Sequence, residues 1–247
     1  MRIITVPDYA AMSRVAADLV SAEVAHSPRS VLGLATGSTP EGLYAELVAR
    51  VRMGTLNLSF VTTFNLDEYI GLPEEHETSY HFFMRRHLFD HVQVREYHIP
   101  NGNAPDLLAE CRRYDGLIAE IGGIDLQILG IGRNGHIGFN EPGSPFGEGT
   151  RIVNLTPDTI AANARFFASP DQVPRQALSM GIKTIMRARS IVLLASGEGK
   201  AQAVAGMIKG PVTKALPASV LRLHPDATLI VDEAAASLLT REELTSA

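Results

Sequence analysis

The chain has 247 residues, 45% hydrophobic and 20% charged, with 21 Gly and 14 Pro, a composition that suits a globule with one well-buried core and excludes disordered, collagen-like and coiled-coil chains. A formal charge of −5 offers no cluster of Lys and Arg for a nucleic acid, and no apolar run reaches the roughly 18 to 20 residues of a membrane-spanning helix, so neither partner is expected. Cys111 is the single cysteine and the N-terminal stretch lacks the apolar run of a signal peptide, so the cytoplasm is the expected compartment.

Short β-branched or apolar runs alternate with longer helix-like stretches, the pattern of a mainly parallel sheet with crossover helices. A strand is expected at residues 3–6 and a helix at 8–25, where Asp8 is a capping residue and Met12, Val15, Ala16 and Leu19 form one stripe. A strand at 31–34 leads to a helix at 40–52, and a strand at 60–64 to helices at 79–89 and 105–121. Strands at 126–131, 191–195 and 228–231 follow, with helices at 200–209 and 233–239. The expected fold is α/β: one doubly wound, mainly parallel, Rossmann-like sheet with helices on both faces, in a single domain over residues 1–247. The most irregular stretch, from 140 to about 173, holds four prolines and three glycines, and a lid segment is expected at about 140–180. Ligands of open parallel sheets bind beyond the carboxyl ends of the strands, so the loops directly after strands come first.

In the first such loop, VLGLATGSTPEGLYAEL, a strand ends at Thr36, Gly37, Ser38 and Thr39 and a helix begins at Pro40, a favoured first helical position. Gly37 allows close backbone approach, the Ser38 and Thr39 hydroxyls can donate, and the N–H groups of the helix start point at whatever sits there. This is an anion cradle suited to phosphate, with a plain Ser/Thr helix cap as the alternative; the P-loop pattern for nucleotides is absent. In the second loop, VTTFNLDEYIGLP, a strand runs into Asn65, Asp67 and Glu68. Either acid could be a general base. Neighbours on an extended chain point opposite ways, so only one is expected to face a substrate while the other caps or pairs locally.

The third, LQILGIGRNGHIGFNEPG, sets Gly130, Gly132 and Gly135 in G-x-G-x-x-G spacing after a strand. The sequence then continues into Phe139-Asn140-Glu141-Pro142-Gly143 instead of a long helix, which excludes a dinucleotide fingerprint. What remains is a glycine turn presenting Asn134, His136 and Glu141, a histidine with a carboxylate near enough to fix its tautomer. The fourth group is basic: Arg165 in NARFF, and Lys200 in LLASGEGKAQAV, where a lysine at a helix start opposes the helix dipole and calls for a negative guest. Arg165 could clamp a phosphate with two hydrogen bonds and Lys200 could add a point charge. His76, His81, His87, His91 and His98 crowd one segment, yet HLFDH lacks the Glu of H-E-x-x-H and has no cysteine partner, so no metal is expected.

Over nearly its whole length the sequence resembles the glucosamine/galactosamine-6-phosphate isomerase family, whose glucosamine-6-phosphate deaminases convert glucosamine 6-phosphate and water into fructose 6-phosphate and ammonia. The resemblance runs through LGLATGSTPEGLY, TFNLDEYIGL, SYHFFM, LFDHV, GIGRNGHIGFNEPG, TRIVNLTPDTIAANARFF, VPRQALSMGI and LHPDATLIVDE, with FNLDEY and GHIGFNEP the most specific motifs. It implies that Asp67 moves the C2 proton, that His136 opens the sugar ring, and that Asn134 and Glu141 orient and tune that histidine. Gly37, Ser38, Thr39, Arg165 and Lys200 are implied to hold the phosphate. The implied partner is a small amino-sugar phosphate from amino-sugar catabolism, with no cofactor and no metal; monomer and homo-oligomer both stay open.

Some members carry Asp where this chain has Asn134; an amide can orient the imidazole but cannot stabilise its cation by charge, so activity with a shifted pH profile is expected. Allosteric members carry a basic residue two positions after Arg151 and a longer C-terminal tail. Val153 stands there and the sequence stops at Ala247, so activation by N-acetylglucosamine 6-phosphate is not expected. A 6-phosphogluconolactonase on the same scaffold lacks the FNEP continuation, so Glu141 discriminates against it. A galactosamine-6-phosphate deaminase demands the same chemistry and remains an alternative. A sugar-phosphate-sensing transcription regulator would need a DNA-binding segment ahead of the first strand, and is not expected.

Overall fold

The computed structural model describes residues 1–164, 167 and 169–245. Its elements run β1 (Arg2–Val6), α1 (Tyr9–His26), β2 (Val31–Leu34), α2 (Glu41–Arg52), β3 (Thr62–Asn65), β4 (Asp67–Tyr69), α3 (Tyr80–Met84), β5 (Glu96–His98), α4 (Leu107–Glu120) and β6 (Leu126–Gly130). They continue with β7 (Arg151–Asn154), α5 (Pro157–Asn163), β8 (Gln176–Ser179), α6 (Ile182–Ile185), β9 (Ser190–Ala195), α7 (Ala201–Lys209), β10 (Ala227–Asp232) and α8 (Arg241–Thr245). Seven strands form one sheet in the order β1-β10-β9-β6-β2-β3-β5, with every pairing parallel. This is the doubly wound α/β architecture that the alternating pattern predicts.

Local chemistry sets the helices. Asp8 accepts the Ala11 N–H at 2.7 Å to start α1, and α1 then buries Met12, Ala16, Ala17, Val20 and Val24 against the sheet. Two apolar clusters lie on the two faces of the sheet. One joins α1 and α2 to Leu32, Leu34, Leu126, Ile128 and Ile230; the other joins α4, α6 and α7 to Phe64, Leu129, Leu193 and Leu229. Each fully buried aliphatic chain contributes about 1.5–3 kcal/mol relative to exposure. At the centre Gly33 leaves room for Gln127 of the next strand, whose Oε1 would lie 2.1 Å from a Cβ at that position.

Four short strands escape the hydrophobic pattern. β5 is a three-residue edge strand, and β4, β8 and β7 form a separate antiparallel sheet in that order, with Asp67 opposite Ser179 and Arg151 opposite Ser179. The stretch that reads as irregular from 140 to about 173 therefore contains β7 and α5, and β8 follows directly after it. The expected helix at 233–239 is a run of turns instead. Bonds from Ser237 N–H to the Ala234 carbonyl and from Leu239 N–H to the Ala236 carbonyl close four-residue turns there, and Asp232 accepts the Ala235 N–H at 2.8 Å. The helix expected at 79–89 is α3, capped by Ser79 on the Phe82 N–H at 3.0 Å, followed by a wider π-type turn at Arg85–Phe89.

Candidate active site

The loops that follow β9, β6, β2 and β3 leave four consecutive strands of the sheet at their carboxyl ends. The winding reverses between β2 and β6, which opens the crevice where such sheets take their ligands.

After β3 only Leu66 intervenes before β4, whose three residues Asp67, Glu68 and Tyr69 are all buried and alternate in direction. Glu68 turns to the start of α3. Its carboxylate accepts the N–H groups of Tyr69 at 2.7 Å, Tyr80 at 3.0 Å and His81 at 3.0 Å, and lies 2.9 Å from His81 Nδ1. It is the acid that caps and pairs locally. Asp67 points the other way, toward the glycine turn: a Cβ at Gly138, where φ is +54°, would lie 3.3 Å from Asp67 Oδ2. Burial, and then the neighbouring Glu68 charge, push the Asp67 carboxyl up to about 8, against a hydrogen bond from the Phe139 backbone. Tyr69, Tyr80 and Phe139 pack beside it, with ring centroids 4.9 to 6.0 Å apart.

The loop after β6 stays a turn, as its sequence implies, and brings Asn134, His136 and Glu141 into direct contact. His136 Nδ1 lies 2.7 Å from Asn134 Oδ1 and 3.6 Å from Glu141 Oε2, while Asn134 Nδ2 donates to Glu141 Oε2 at 2.7 Å. A carboxylate only accepts, so the amide nitrogen faces Glu141 and the amide oxygen faces the ring; Nδ1 then carries the proton. In the neutral ring Nε2 is left with its lone pair and no bond to this relay. Thr159 of α5 donates to Glu141 Oε1. Burial works to raise the Glu141 pKa, but hydrogen bonds from His136, Thr159 and Asn134 and the His136 charge outweigh it and hold the carboxyl down to about 2. The ring rests directly on the turn: a Cβ at Gly132 would stand 2.3 Å from His136 Cε1 and Nδ1.

At the first loop Gly37 adopts φ +87°, and Thr39 sits against the end of β6, its Cβ 3.7 Å from where a Gly130 Cβ would be. Neither Ser38 nor Thr39 caps α2, so the plain-cap alternative does not hold; Pro40, the expected first helical residue, is the cap residue itself, and α2 starts one position later at Glu41. One of the helix-start N–H groups expected to point at a ligand is already taken. Gly42 N–H donates to Tyr9 Oη at 2.7 Å, and Tyr9 Oη donates to the Ser38 carbonyl at 2.9 Å. Lys200 is the cap residue of α7, and its loop adjoins the third through Arg133, whose Nε lies 3.5 Å from a Cβ built at Gly199. Arg165 lies outside the described residues.

The histidine-rich segment disperses. His81 pairs with Glu68, His87 packs at a tilt against Phe83, His98 stacks on Phe64, and His91 lies 2.8 Å from the Arg86 carbonyl. Among the described residues no three His, Cys, Asp or Glu side chains group as a metal would require. A cavity of about 480 Å³ lies at the opposite, amino end of the sheet beside Arg2, His26, Ser190 and Asp226, remote from these loops.

A family model described as glucosamine-6-phosphate isomerases/6-phosphogluconolactonase matches residues 8–230. The chain belongs to this isomerase/lactonase family. It is 52% identical over 246 residues to a glucosamine-6-phosphate deaminase of Thermoanaerobacter pseudethanolicus, covering 99% of this chain and 97% of the relative. Among solved structures it is similar to a monomeric glucosamine-6-phosphate deaminase, with a TM-score of 0.93 and 47% identity over 96% of this chain and 100% of that one. A 6-phosphogluconolactonase from Trypanosoma cruzi, 21% identical with a TM-score of 0.74 over 97% of each chain, shares the fold.

Three residues that support the candidate site escape sequence reasoning. Thr159 reaches the relay from α5, and its only signal is the Thr-x-x-Thr spacing with Thr156, which caps that helix. Asp232 ends β10 and accepts Ser196 Oγ at 2.5 Å and Gly197 N–H at 3.0 Å, holding the loop that leads to Lys200. Its signal is a buried acid closing an apolar strand. Tyr9 carries no signal beyond its place at the start of α1. Among the described residues no helix is long and apolar enough to cross a membrane.

Proposed function

We propose that the chain is a glucosamine-6-phosphate deaminase, converting glucosamine 6-phosphate and water to fructose 6-phosphate and ammonia in amino-sugar breakdown. The observation that carries this reading is a buried, weakly acidic Asp67 together with a His136 ring whose Nδ1 is anchored on Asn134 and whose Nε2 bonds to none of the described residues. The similarity to deaminases at about half identity over the whole chain supports it.

In this mechanism the Gly37, Ser38 and Thr39 loop, Lys200 and Arg165 hold the phosphate, and that remote binding orients the reacting end. His136 Nε2 takes the proton of the anomeric hydroxyl and returns it to the ring oxygen, breaking the ring C–O bond to give the open-chain aldehyde. Asn134 and Glu141 keep the ring in the needed tautomer. Asp67 then removes the C2 proton, acidified by the C1 carbonyl and the C2 ammonium. An ammonium proton passes to the C1 oxygen to give the enolamine, and Asp67 returns its proton to C1, leaving an iminium at C2; water adds there and passes a proton to nitrogen, the C2–N bond breaks, ammonia leaves, and loss of the hydroxyl proton gives the C2 ketone. The segment at about 140–180 serves as the lid over the sugar within one domain.

The test follows ammonia and fructose 6-phosphate in one sample of enzyme and glucosamine 6-phosphate, with a chelator present. Equal amounts of both products sustain the reading and dispense with a metal. Absence of both refutes it, and galactosamine 6-phosphate and 6-phosphogluconolactone are the substrates to try next.

A further inference from the structure

Tyr9 opens α1 and lies 29 residues from Ser38, yet its hydroxyl makes two bonds to the loop that holds Ser38. It donates to the Ser38 carbonyl at 2.9 Å and accepts the Gly42 N–H at 2.7 Å. The seat is closely fitted. A Cβ at Gly42 would stand 3.0 Å from Tyr9 Cε1 and 2.3 Å from Ser13 Oγ, so only glycine lets the starts of α1 and α2 approach this closely.

The first bond fixes a peptide. In a trans peptide the carbonyl and the following N–H point in opposite directions, so drawing the Ser38 carbonyl toward α1 turns the Thr39 N–H away from it. Thr39 is also the residue whose side chain meets the end of β6. Among the described residues nothing accepts from the N–H groups of Gly37, Ser38 or Thr39. A flip of this peptide would present a carbonyl oxygen to an anion in place of a donor. The second bond matters as much, because it takes the Gly42 N–H out of the ligand-facing set and assigns the anion to the loop amides ahead of α2.

We propose that Tyr9 is a positioning residue for phosphate recognition, locking the Ser38–Thr39 peptide with its N–H toward the substrate phosphate without touching the substrate itself. This rests on the phosphate-loop part of the function proposed above. It adds a residue from outside that loop and an assignment of which amides bind.

Tyr9→Phe removes only the hydroxyl and keeps the ring on Gly42. Loss of one well-placed hydrogen bond corresponds to about a five- to tenfold change in affinity. The expected result is that rise in KM for glucosamine 6-phosphate and the same rise in the inhibition constant of inorganic phosphate. The expected kcat stays within about twofold, and inhibition by unphosphorylated glucosamine does not move. A residue that merely caps α2 would lower the melting temperature and leave the ratio of the two inhibition constants unchanged; that outcome overturns the proposal. So does a fall in kcat at constant KM.

Amide spectra of the unaltered protein during titration with inorganic phosphate test the same assignment whether or not Tyr9→Phe folds. The Thr39 amide is expected to shift, with Gly42 unmoved. Movement of Gly42 without Thr39, or of neither, refutes the proposal. Because this titration involves no turnover, a protein that fails to deaminate glucosamine 6-phosphate but shifts Thr39 loses the function proposed above and keeps the role of Tyr9.

Discussion

Gly132→Ala isolates the placement of His136 from its chemistry. Gly132 is not among the residues with positive φ, so alanine strains no backbone there; its methyl group collides with the imidazole at 2.3 Å from Cε1 and Nδ1 and 2.5 Å from Cγ. Ordinary carbon contacts begin near about 3.5 Å, so the ring must retreat by about 1.2 Å. Nδ1 now sits 2.7 Å from Asn134 Oδ1, and such a displacement takes it out of hydrogen-bonding range. The structural loss is one partly exposed hydrogen bond, about 0.5–1.5 kcal/mol, so the variant folds. A misplacement of about 1 Å in a positioned group costs about 10² in rate, and that loss is expected in kcat/KM with glucosamine 6-phosphate while the thermal midpoint moves only slightly. Steady-state ammonia release compared with a melting curve makes the measurement. A Gly132→Ala enzyme within threefold of the parent would show that the ring position described here is not the working one.

Three further substitutions separate the carboxylates. Asp67→Asn is expected to lower turnover by about 10² to 10⁴ with the fold intact, and residual turnover near the parent level would exclude Asp67 as the base. Because Asp67 is raised to about 8 in the fold, the parent's kcat/KM should fall tenfold per unit as pH drops below that value. The folded state also binds the extra proton between the unfolded carboxylate value and about 8, so parent stability falls as pH rises through that window; denaturation from pH 5 to 9 should show a slope that the Asn variant lacks. Glu141 has the opposite sign. Held near 2, it contributes stability that is present above the unfolded carboxylate value and lost as pH falls toward 2, so Glu141→Gln should be most destabilising at pH 6 and nearly silent at pH 2 in paired denaturation curves. Asp232→Asn loses the acceptor for Ser196 Oγ or the Gly197 N–H, and is expected to raise KM with little change in kcat; an unchanged KM would remove Asp232 from the phosphate side of the site.

Legibility in the sequence follows burial. The strands of the large sheet are apolar on both faces, so β2, β6, β9 and β10 read as continuous hydrophobic runs and are placed within a residue or two. β4 reads DEY and β5 reads EYH, and neither carries that signal: β4 is a strand because β8 pairs with it, a partner more than a hundred residues away. The site behaves similarly. Asn134, His136 and Glu141 are close in sequence and form one relay, so the motif exposes them, and alternation along β4 separates Asp67 from Glu68. Thr159, Asp232 and Tyr9 act across distances of 18, 35 and 29 residues, and the local patterns around them do not say what they reach.

The two acids at this crevice illustrate how one protein holds opposite proton states within one site. Asp67 is surrounded by Tyr69, Tyr80 and Phe139 and has an anionic neighbour, so its ionised form is poorly solvated and the carboxyl resists losing its proton until about pH 8. Glu141 is comparably buried at 6% exposure but receives Thr159, Asn134 and the His136 charge, so it stays ionised down to about 2. Burial works to raise both carboxyls, and the donors and charges beside each decide which way it moves. In the proposed reaction this division is what the chemistry needs. The group that must accept a proton from carbon is the one whose anion is unstable, and the group that must only hold an imidazole in place is the one whose anion is fixed. Exchanging the donors should exchange the behaviour: removing Thr159 and Asn134 from Glu141 would push its carboxyl upward toward the range of Asp67.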